Sequence, residues 1–288
     1  MSLNSVNTNT GAMIALQSLN RTNSQLAATQ KQISTGYRVA DATDDGAAYA
    51  VAQSVRSTVG ALTSANQQLG TVQGLLSTTQ SSLNDVSNTM ASMRDVLVKL
   101  ADSDVSGTQR TQYQSQYNSL LANVKTFIQD AGYNGKTLIG NITTGSGSSG
   151  SFARVATVRN ESGASYGIAT FGGSALFNAI SFSFGGATFG SAAGVAQLLG
   201  TAGAFITQMT SVGNGLSTVG SEVNYVNNQI SYNSDKMDAL NTGLGSLVDA
   251  DLAKESAALQ ALQIRQQLGT QALSMANQAP QTLLSLFK

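Results

Sequence analysis

The chain contains no cysteine and no histidine. Disulfides, thiol catalysis, imidazole general bases and metal sites built on Cys or His are therefore excluded. Carboxylate, lysine or serine chemistry remains open in principle, but these absences argue against an enzyme. Charge is scarce as well: charged residues make up 10% of the chain and balance to a net charge of zero. There is neither a basic footprint for nucleic acid nor an acidic tail. No stretch approaches the ~18 apolar residues of a membrane span, so membrane insertion is not expected. No compact apolar block precedes Arg21, the first charge, so no signal-peptide pattern is read. Taken alone this suggests the cytoplasm. A rod with little charge and no cysteine equally fits export by a route that cleaves no signal. The single proline, Pro280, leaves almost nothing to interrupt helices.

What the chain does have is a long apolar heptad from Ala48 to Leu100. One row reads Val55, Leu62, Leu69, Leu76, Leu83, Met90 and Leu97. Its partner row reads Val51, Thr58, Ala65, Val72, Thr79, Val86, Met93 and Leu100. Such a seam specifies one continuous helix packed lengthwise on other helices. At 1.5 Å per residue it spans roughly 80 Å, which predicts a rod. The rod core is expected at Leu62, Leu69, Leu76, Leu83, Met90 and Leu97.

Composition shifts in the middle. Residues 140–220 hold 17 of the 29 glycines, and residues 150–205 hold seven of the nine phenylalanines. The expected fold is mainly α: a long antiparallel coiled-coil rod or helical bundle, with a small β-hairpin-rich centre. Ser106 and Gln109 resemble a capping box that opens a return helix through Tyr113, Tyr117, Leu120, Val124 and Phe127. Asn134-Gly135 marks a turn, and Gly145 to Gly150 is a flexible run. Phe152–Val158 and Tyr166–Phe171 read as short strands. Ile180–Phe184 and Ala187–Phe189 flank Gly185-Gly186 like a hairpin. Val219, Val223, Val226, Ile230, Met237, Leu240 and Leu244 restore the heptad, with Asn233 as its polar step. Gly243 and Gly245 suggest a hinge.

Both ends are weaker helices. Leu16, Leu19, Leu26 and Ile33 keep a heptad whose alternate row holds Asn23 and Gln30, and Gly36 marks its break. The last helix, from Leu247, carries Val248, Leu252, Leu259, Leu262, Gly269, Leu273 and Ala276, with Gln266 polar, and closes on Leu284 and Leu286. Marginal helices with apolar stripes are expected to pair and to order on association. A head-to-tail contact through such ends builds filaments instead of closed rings. The expected division is a terminal-helix domain of 1–44 and 246–288, a helical rod of 45–140 and 191–245, and a variable β-rich surface of 141–190.

The remaining motifs have plainer readings. Asp41, Asp44 and Asp45 lack the alternating ligand spacing of a calcium loop, so helix capping and solvation explain them. Asp249, Asp251 and Glu255 suit the first turns of a helix. The Gly-rich centre has no phosphate-loop pattern. No cofactor and no small-molecule substrate is expected.

At both ends the chain resembles bacterial flagellin. The N-terminal match is Asn7-Thr8-Asn9, Leu16, Leu19-Asn20, Leu26, Ile33-Ser34-Thr35-Gly36-Tyr37-Arg38 and Asp44-Asp45. The C-terminal match is Asp249-Ala250-Asp251-Leu252-Ala253, Glu255, Gln266-Gln267, Gly269, Ala276-Asn277-Gln278, Pro280-Gln281 and Leu284-Ser285-Leu286. The middle carries no such resemblance. The likeness is to the short alphaproteobacterial type, without large outer domains. It implies a homo-polymer, the extracellular filament of the flagellum, whose paired terminal helices form an inner tube and whose rods form the next shell. Polymerisation then falls to Leu16, Leu19, Leu26, Ile33, Leu252, Leu259, Leu262, Leu273, Leu284 and Leu286. The resemblance also implies a subunit secreted unfolded by the flagellar type III export apparatus, with an export chaperone and a filament cap as partners. Arg94 stands where some members present a key arginine to a Toll-like receptor. Ser92 and Gln116 replace that strip's second arginine and its glutamate, which implies weak recognition. Two other readings are a hook–filament junction protein of the same family and a non-flagellar coiled-coil adhesin or fibre.

Overall fold

The computed structural model describes residues 8–140, 142, 155–184 and 189–286, with side chains placed up to Gln278. The Gly145–Gly150 run, the Gly185-Gly186 turn and Phe152 lie outside the described residues. The fold is mainly α, with two small antiparallel strand pairs among the described residues.

Local chemistry sets the helix boundaries. Helix α1 (Thr10–Thr35) starts at Asn9, whose Oδ1 accepts from the Ala12 N–H at 3.0 Å. It ends at Gly36, whose φ of 73° is the left-handed C-cap that glycine adopts without strain. Helix α2 (Gly46–Leu100) starts at Asp45, which accepts from the N–H groups of Ala47 and Ala48. Helix α3 (Gly107–Asp130) opens on the expected capping box of Ser106 and Gln109. Strands β1 (Gly132–Tyr133) and β2 (Lys136–Thr137) flank Asn134 and Gly135, both at positive φ, as a tight two-residue turn requires. Strands β3 (Ala156–Val158) and β4 (Ser165–Gly167) form the second pair. Helices α4 (Gly173–Ile180), α5 (Ala192–Leu199), α6 (Ala204–Val248) and α7 (Leu252–Leu286) complete the order.

The chain forms two compact units: Met1–Val59 with Asp238–Lys288, and Gly60–Met237. In the second unit, Leu62, Leu69, Leu76, Leu83, Met90 and Leu97 are all fully buried. All of them but Leu62 share one core with Tyr117, Val124 and Ile128 of α3, Leu176 and Ile180 of α4, and Phe205, Val212, Val219 and Val226 of α6. Leu75 and Val96 are buried too, so the apolar face of α2 is wider than a two-row seam. A helix that packs on several partners needs that width. Helices α2 and α6 run antiparallel, since Gln73 donates to Asn227 and Asn66 pairs with Asn233. Thr79, polar but fully buried, returns its hydroxyl to the Leu75 carbonyl at 2.8 Å. Tyr117 donates to the Ile180 carbonyl at 2.7 Å, and burial pushes its phenol pKa up.

Four sequence expectations are corrected. The Ile180–Phe184 strand is absent: α4 ends at Ile180, because Leu176 and Ile180 recur at helical spacing in a run without β-branched neighbours. The second strand of the centre stops at Gly167 instead of Phe171. Gly243 and Gly245 make no hinge, since α6 runs through them to Val248. Gly245 instead leaves room for Asp249, whose Oδ2 would lie 2.7 Å from an added Cβ. The α2 seam is not buried throughout, for Val51 is 51% exposed and Ala52 is buried in its place.

Candidate assembly surface

In the first unit α1 and α7 form an antiparallel pair. Asn9 Nδ2 donates to the Ala276 carbonyl at 2.7 Å, and Gln266 Nε2 donates to Asn23 Oδ1 at 2.9 Å. The half-buried seam of α1 reads Ala12, Ala15, Leu19, Thr22, Leu26, Thr29 and Ile33, a strict alternation of three and four. Facing it are Glu255, Leu259, Leu262, Gln266, Gly269, Leu273 and Ala276. The alternate row of α1 is therefore Ala15, Thr22 and Thr29. Leu16, Asn23 and Gln30, expected there, are exposed. Small residues bring the two helices close: a Cβ added at Gly269 would lie 3.3 Å from Leu19 Cδ1. Helix α7 begins at Leu252 and not at Leu247; Val248 belongs to α6, and Leu252 is half exposed.

This pair has a thin core. Thr29 and Leu262 alone are buried among the described residues of its seam. Its outer faces, by contrast, carry large apolar side chains among polar ones: Met13, Ile14 and Leu16 on α1, and Ile264, Leu268 and Met275 on α7, are all exposed. Of the thirteen exposed large hydrophobic residues described, ten lie in this unit and only Val98, Tyr133 and Tyr232 lie in the other.

A second feature ties the two ends of the sequence together. The Gly36–Val39 segment pairs with Val248–Ala250. The N–H groups of Arg38 and Val39 both donate to the Val248 carbonyl, at 2.7 and 3.3 Å, and the Ala250 N–H donates to the Gly36 carbonyl at 3.0 Å. The Arg38 guanidinium donates to the Leu247 carbonyl. Val39, Ala52 and Val248 are buried beneath, packed by Ala48, Tyr49 and Leu244.

The two segments that meet here are the same two in which the flagellin resemblance is densest. The family profile described as the bacterial flagellin N-terminal helical region matches residues 6–144. The bacterial flagellin C-terminal helical region matches residues 199–287. The chain is 32% identical to flagellin FljM of Caulobacter vibrioides over the full length of both. It is 32% identical to a flagellin of Brucella melitensis over 99% of each. The chain belongs to the bacterial flagellin family. It is of the short alphaproteobacterial type, and the family's role makes it a structural subunit of the flagellar filament. A solved structure of a flagellar hook-associated protein from Vibrio parahaemolyticus, 16% identical, covers 72% of this chain and all of that one with a TM-score of 0.56, a likeness of fold.

In this flagellin the acidic cluster is a clasp. Lys31 Nζ on α1 reaches Asp41 Oδ2 at 2.6 Å and Asp44 Oδ2 at 2.8 Å. These bonds hold both carboxyls below the usual carboxylate range and raise the lysine; Thr43 adds a further bond to Asp41. Asp45 caps α2, and Asp251 accepts from the N–H groups of Ala253 and Lys254 at the start of α7. Asp249 instead sits in the bridge to Tyr37. No group of His, Cys, Asp or Glu among the described residues is arranged to hold a metal. No described helix is long and apolar enough to cross a membrane.

Of the ten residues expected to drive polymerisation, Leu19, Leu26, Ile33, Leu259, Leu262 and Leu273 line the α1–α7 seam. Leu16 and Leu252 are exposed. The side chains of Leu284 and Leu286 lie outside the described residues. Arg94, Ser92 and Gln116 are exposed. Sequence reasoning missed Ile264, Leu268 and Met275. Their signal was a second heptad on α7, offset by two residues from the one that was followed.

Proposed function

We propose that the α1–α7 pair is the polymerising element of this flagellin. The seam residues Leu19, Leu26, Ile33, Leu259, Leu262 and Leu273 hold the pair, and Leu16 and Leu252 meet neighbouring subunits, joined by Leu284 and Leu286. The supporting observation is that ten of the thirteen exposed large hydrophobic residues among those described lie in the first unit. Burying one such side chain contributes about 1.5–3 kcal/mol, and a filament repeats that gain at every subunit. In this reading residues 1–44 and 246–288 form the inner tube. The rod of 45–140 and 191–245 forms the next shell, its core at Leu62 to Leu97, and 141–190 form its outer surface.

The subunit travels through the flagellar export apparatus with an export chaperone and folds under a filament cap, so it works outside the cell and without catalysis. Receptor recognition through Arg94 is weak, because Ser92 and Gln116 withhold the second arginine and the glutamate. A receptor-reporter assay in which the monomer equals an enteric flagellin would overturn that point.

The assembly reading is tested by negative-stain electron microscopy of purified chain seeded with filament fragments. Long tubes of uniform width are expected. Discrete particles that persist with seeds would overturn it.

A further inference from the structure

Within the second unit, side chains hold the β3–β4 hairpin against helix α6. Asn233 Nδ2 donates to the Arg159 carbonyl at 3.0 Å, and Lys236 Nζ pairs with Glu161 Oε1. Tyr166, on β4, meets two further residues of α6. Its hydroxyl donates to Glu222 Oε2 at 2.6 Å. Its ring stacks on Tyr225, with centroids 4.1 Å apart and planes 24° from parallel. Strands of three residues cannot hold a hairpin by backbone bonds alone, so these contacts fix it.

Two features set this pair apart from an ordinary aromatic contact. Both rings are phenols, and among the described residues no other two tyrosines are in ring contact. One phenol also aims its proton at a carboxylate, over a distance that belongs to short, charge-assisted bonds. Burial, and then the bond to Glu222, push the Tyr166 phenol up to about 12, so it stays protonated at neutral pH. A phenol that loses an electron becomes a strong acid. A base already at hydrogen-bond distance takes the proton as the electron leaves, which makes oxidation easier here than at a phenol facing water.

We propose that Tyr166 and Tyr225 are an oxidative coupling site, at which a carbon–carbon bond between the two rings ties β4 to α6. The oxidant is a one-electron oxidant of the peroxidase class working on hydrogen peroxide. Each phenol gives up one electron and one proton, the Tyr166 proton passing to Glu222 Oε2. The two phenoxyl radicals join at ring carbons beside the oxygens. The hydrogens on those carbons then return to the oxygens and restore both phenols. The pair loses two hydrogen atoms in all, and the peroxide takes them up to become two waters. A chain without cysteine cannot lock itself with a disulfide, and a coupled phenol pair is an oxidative cross-link that its residues do permit. Both residues lie in one chain, so the proposal does not rest on the filament reading.

The test treats the purified full chain with a haem peroxidase and limiting hydrogen peroxide, with peroxide alone as the control. Dityrosine fluorescence is expected in the product of single-chain mass. Peptide mass spectrometry is expected to find Tyr166 joined to Tyr225, lighter by two hydrogen atoms. Tyr225→Phe keeps the stacked ring but removes the phenol, and is expected to lose this product, as is Tyr166→Phe. Glu222→Gln still accepts the hydrogen bond but takes no proton, and is expected to slow the coupling about tenfold. The coupled chain is expected to unfold at a higher urea concentration than the control, because the link restricts the unfolded chain. Fluorescence undiminished in Tyr225→Phe overturns the proposal. So does dityrosine found only in dimers joined through the exposed Tyr37, Tyr133 or Tyr232, and so does a treated chain without dityrosine. An unchanged rate in Glu222→Gln overturns the part given to the carboxylate.

Discussion

Asn233 Nδ2 donates to Asn66 Oδ1 at 2.8 Å within the contact between α6 and α2. Asn233 is fully buried, donates also to the Arg159 carbonyl at 3.0 Å, and accepts from Gln229 at 2.9 Å. A buried amide is tolerated in an apolar seam only when its bonds are made, and these bonds form in one register of the two helices. Asn233→Ala leaves the Arg159 carbonyl and the Asn66 amide short of partners. It is expected to destabilise the monomer by about 1–3 kcal/mol in chemical denaturation. A change within error would mean that the network does not set the register.

Asn233 also shows what the sequence made legible. It stood out as the polar step of a heptad, but nothing along the chain named Asn66 and Arg159, the two partners that lie far away in sequence on α2 and beside β3. The long helices, the Gly36 stop and the Ser106–Gln109 box were readable because each rests on local periodicity or capping. The central region was not. Ser174-Ala175-Leu176-Phe177 is short, apolar and followed by Ile180, and in so short a run a strand and a buried helix look alike. The pairing of Gly36–Val39 with Val248–Ala250 escaped for a different reason. Backbone hydrogen bonds carry it, and they leave no residue pattern.

Two glycines in helices are expected to respond in opposite directions. An added Cβ at Gly173 would lie 2.4 Å from Ile139 Cγ2 and 2.8 Å from Ile128 Cγ2, inside the packed core. Gly173→Ala is expected to cost about 1–3 kcal/mol through overpacking. At Gly60, exposed within α2, an added Cβ meets nothing within 4 Å. Gly60→Ala is expected to stabilise by about 0.5–1 kcal/mol, the usual helix preference for alanine. Thermal melts of the two variants check both signs. A rise for Gly173→Ala would show that the core yields at this point.

The Lys31 clasp makes a specific pH dependence. The carboxyls of Asp41 and Asp44 are lowered in the fold, so their contribution is present above the unfolded carboxylate range, near pH 4. It is lost as pH falls below that. Lys31 is raised, so its contribution is present below about pH 10.4 and lost as pH rises further. The stability difference between wild type and Lys31→Met is therefore expected to be flat from about pH 5 to 9 and to shrink on both sides. The groups are solvent-exposed, so added salt reduces the difference throughout. Urea midpoints across pH measure it. A difference that grows below pH 4 would contradict the clasp.

Gly269 tests whether close approach of α1 and α7 matters for assembly. Its missing side chain lets Leu19 Cδ1 come within 3.3 Å of where a Cβ would stand. A methyl there requires Leu19 to shift by a few tenths of an ångström, so Gly269→Ala is expected to polymerise nearly as wild type. A leucine has no such room and must push the helices apart, exposing a seam that is only half-buried to begin with. Gly269→Leu is therefore expected to keep the main thermal transition, because Leu69, Leu76 and Leu83 lie in the other compact unit. It is expected to lose seeded elongation, read as filament length by electron microscopy. Filaments of normal length from Gly269→Leu would mean that assembly does not depend on the tight α1–α7 seam. A lowered main transition would mean instead that the terminal pair supports the core of the second unit.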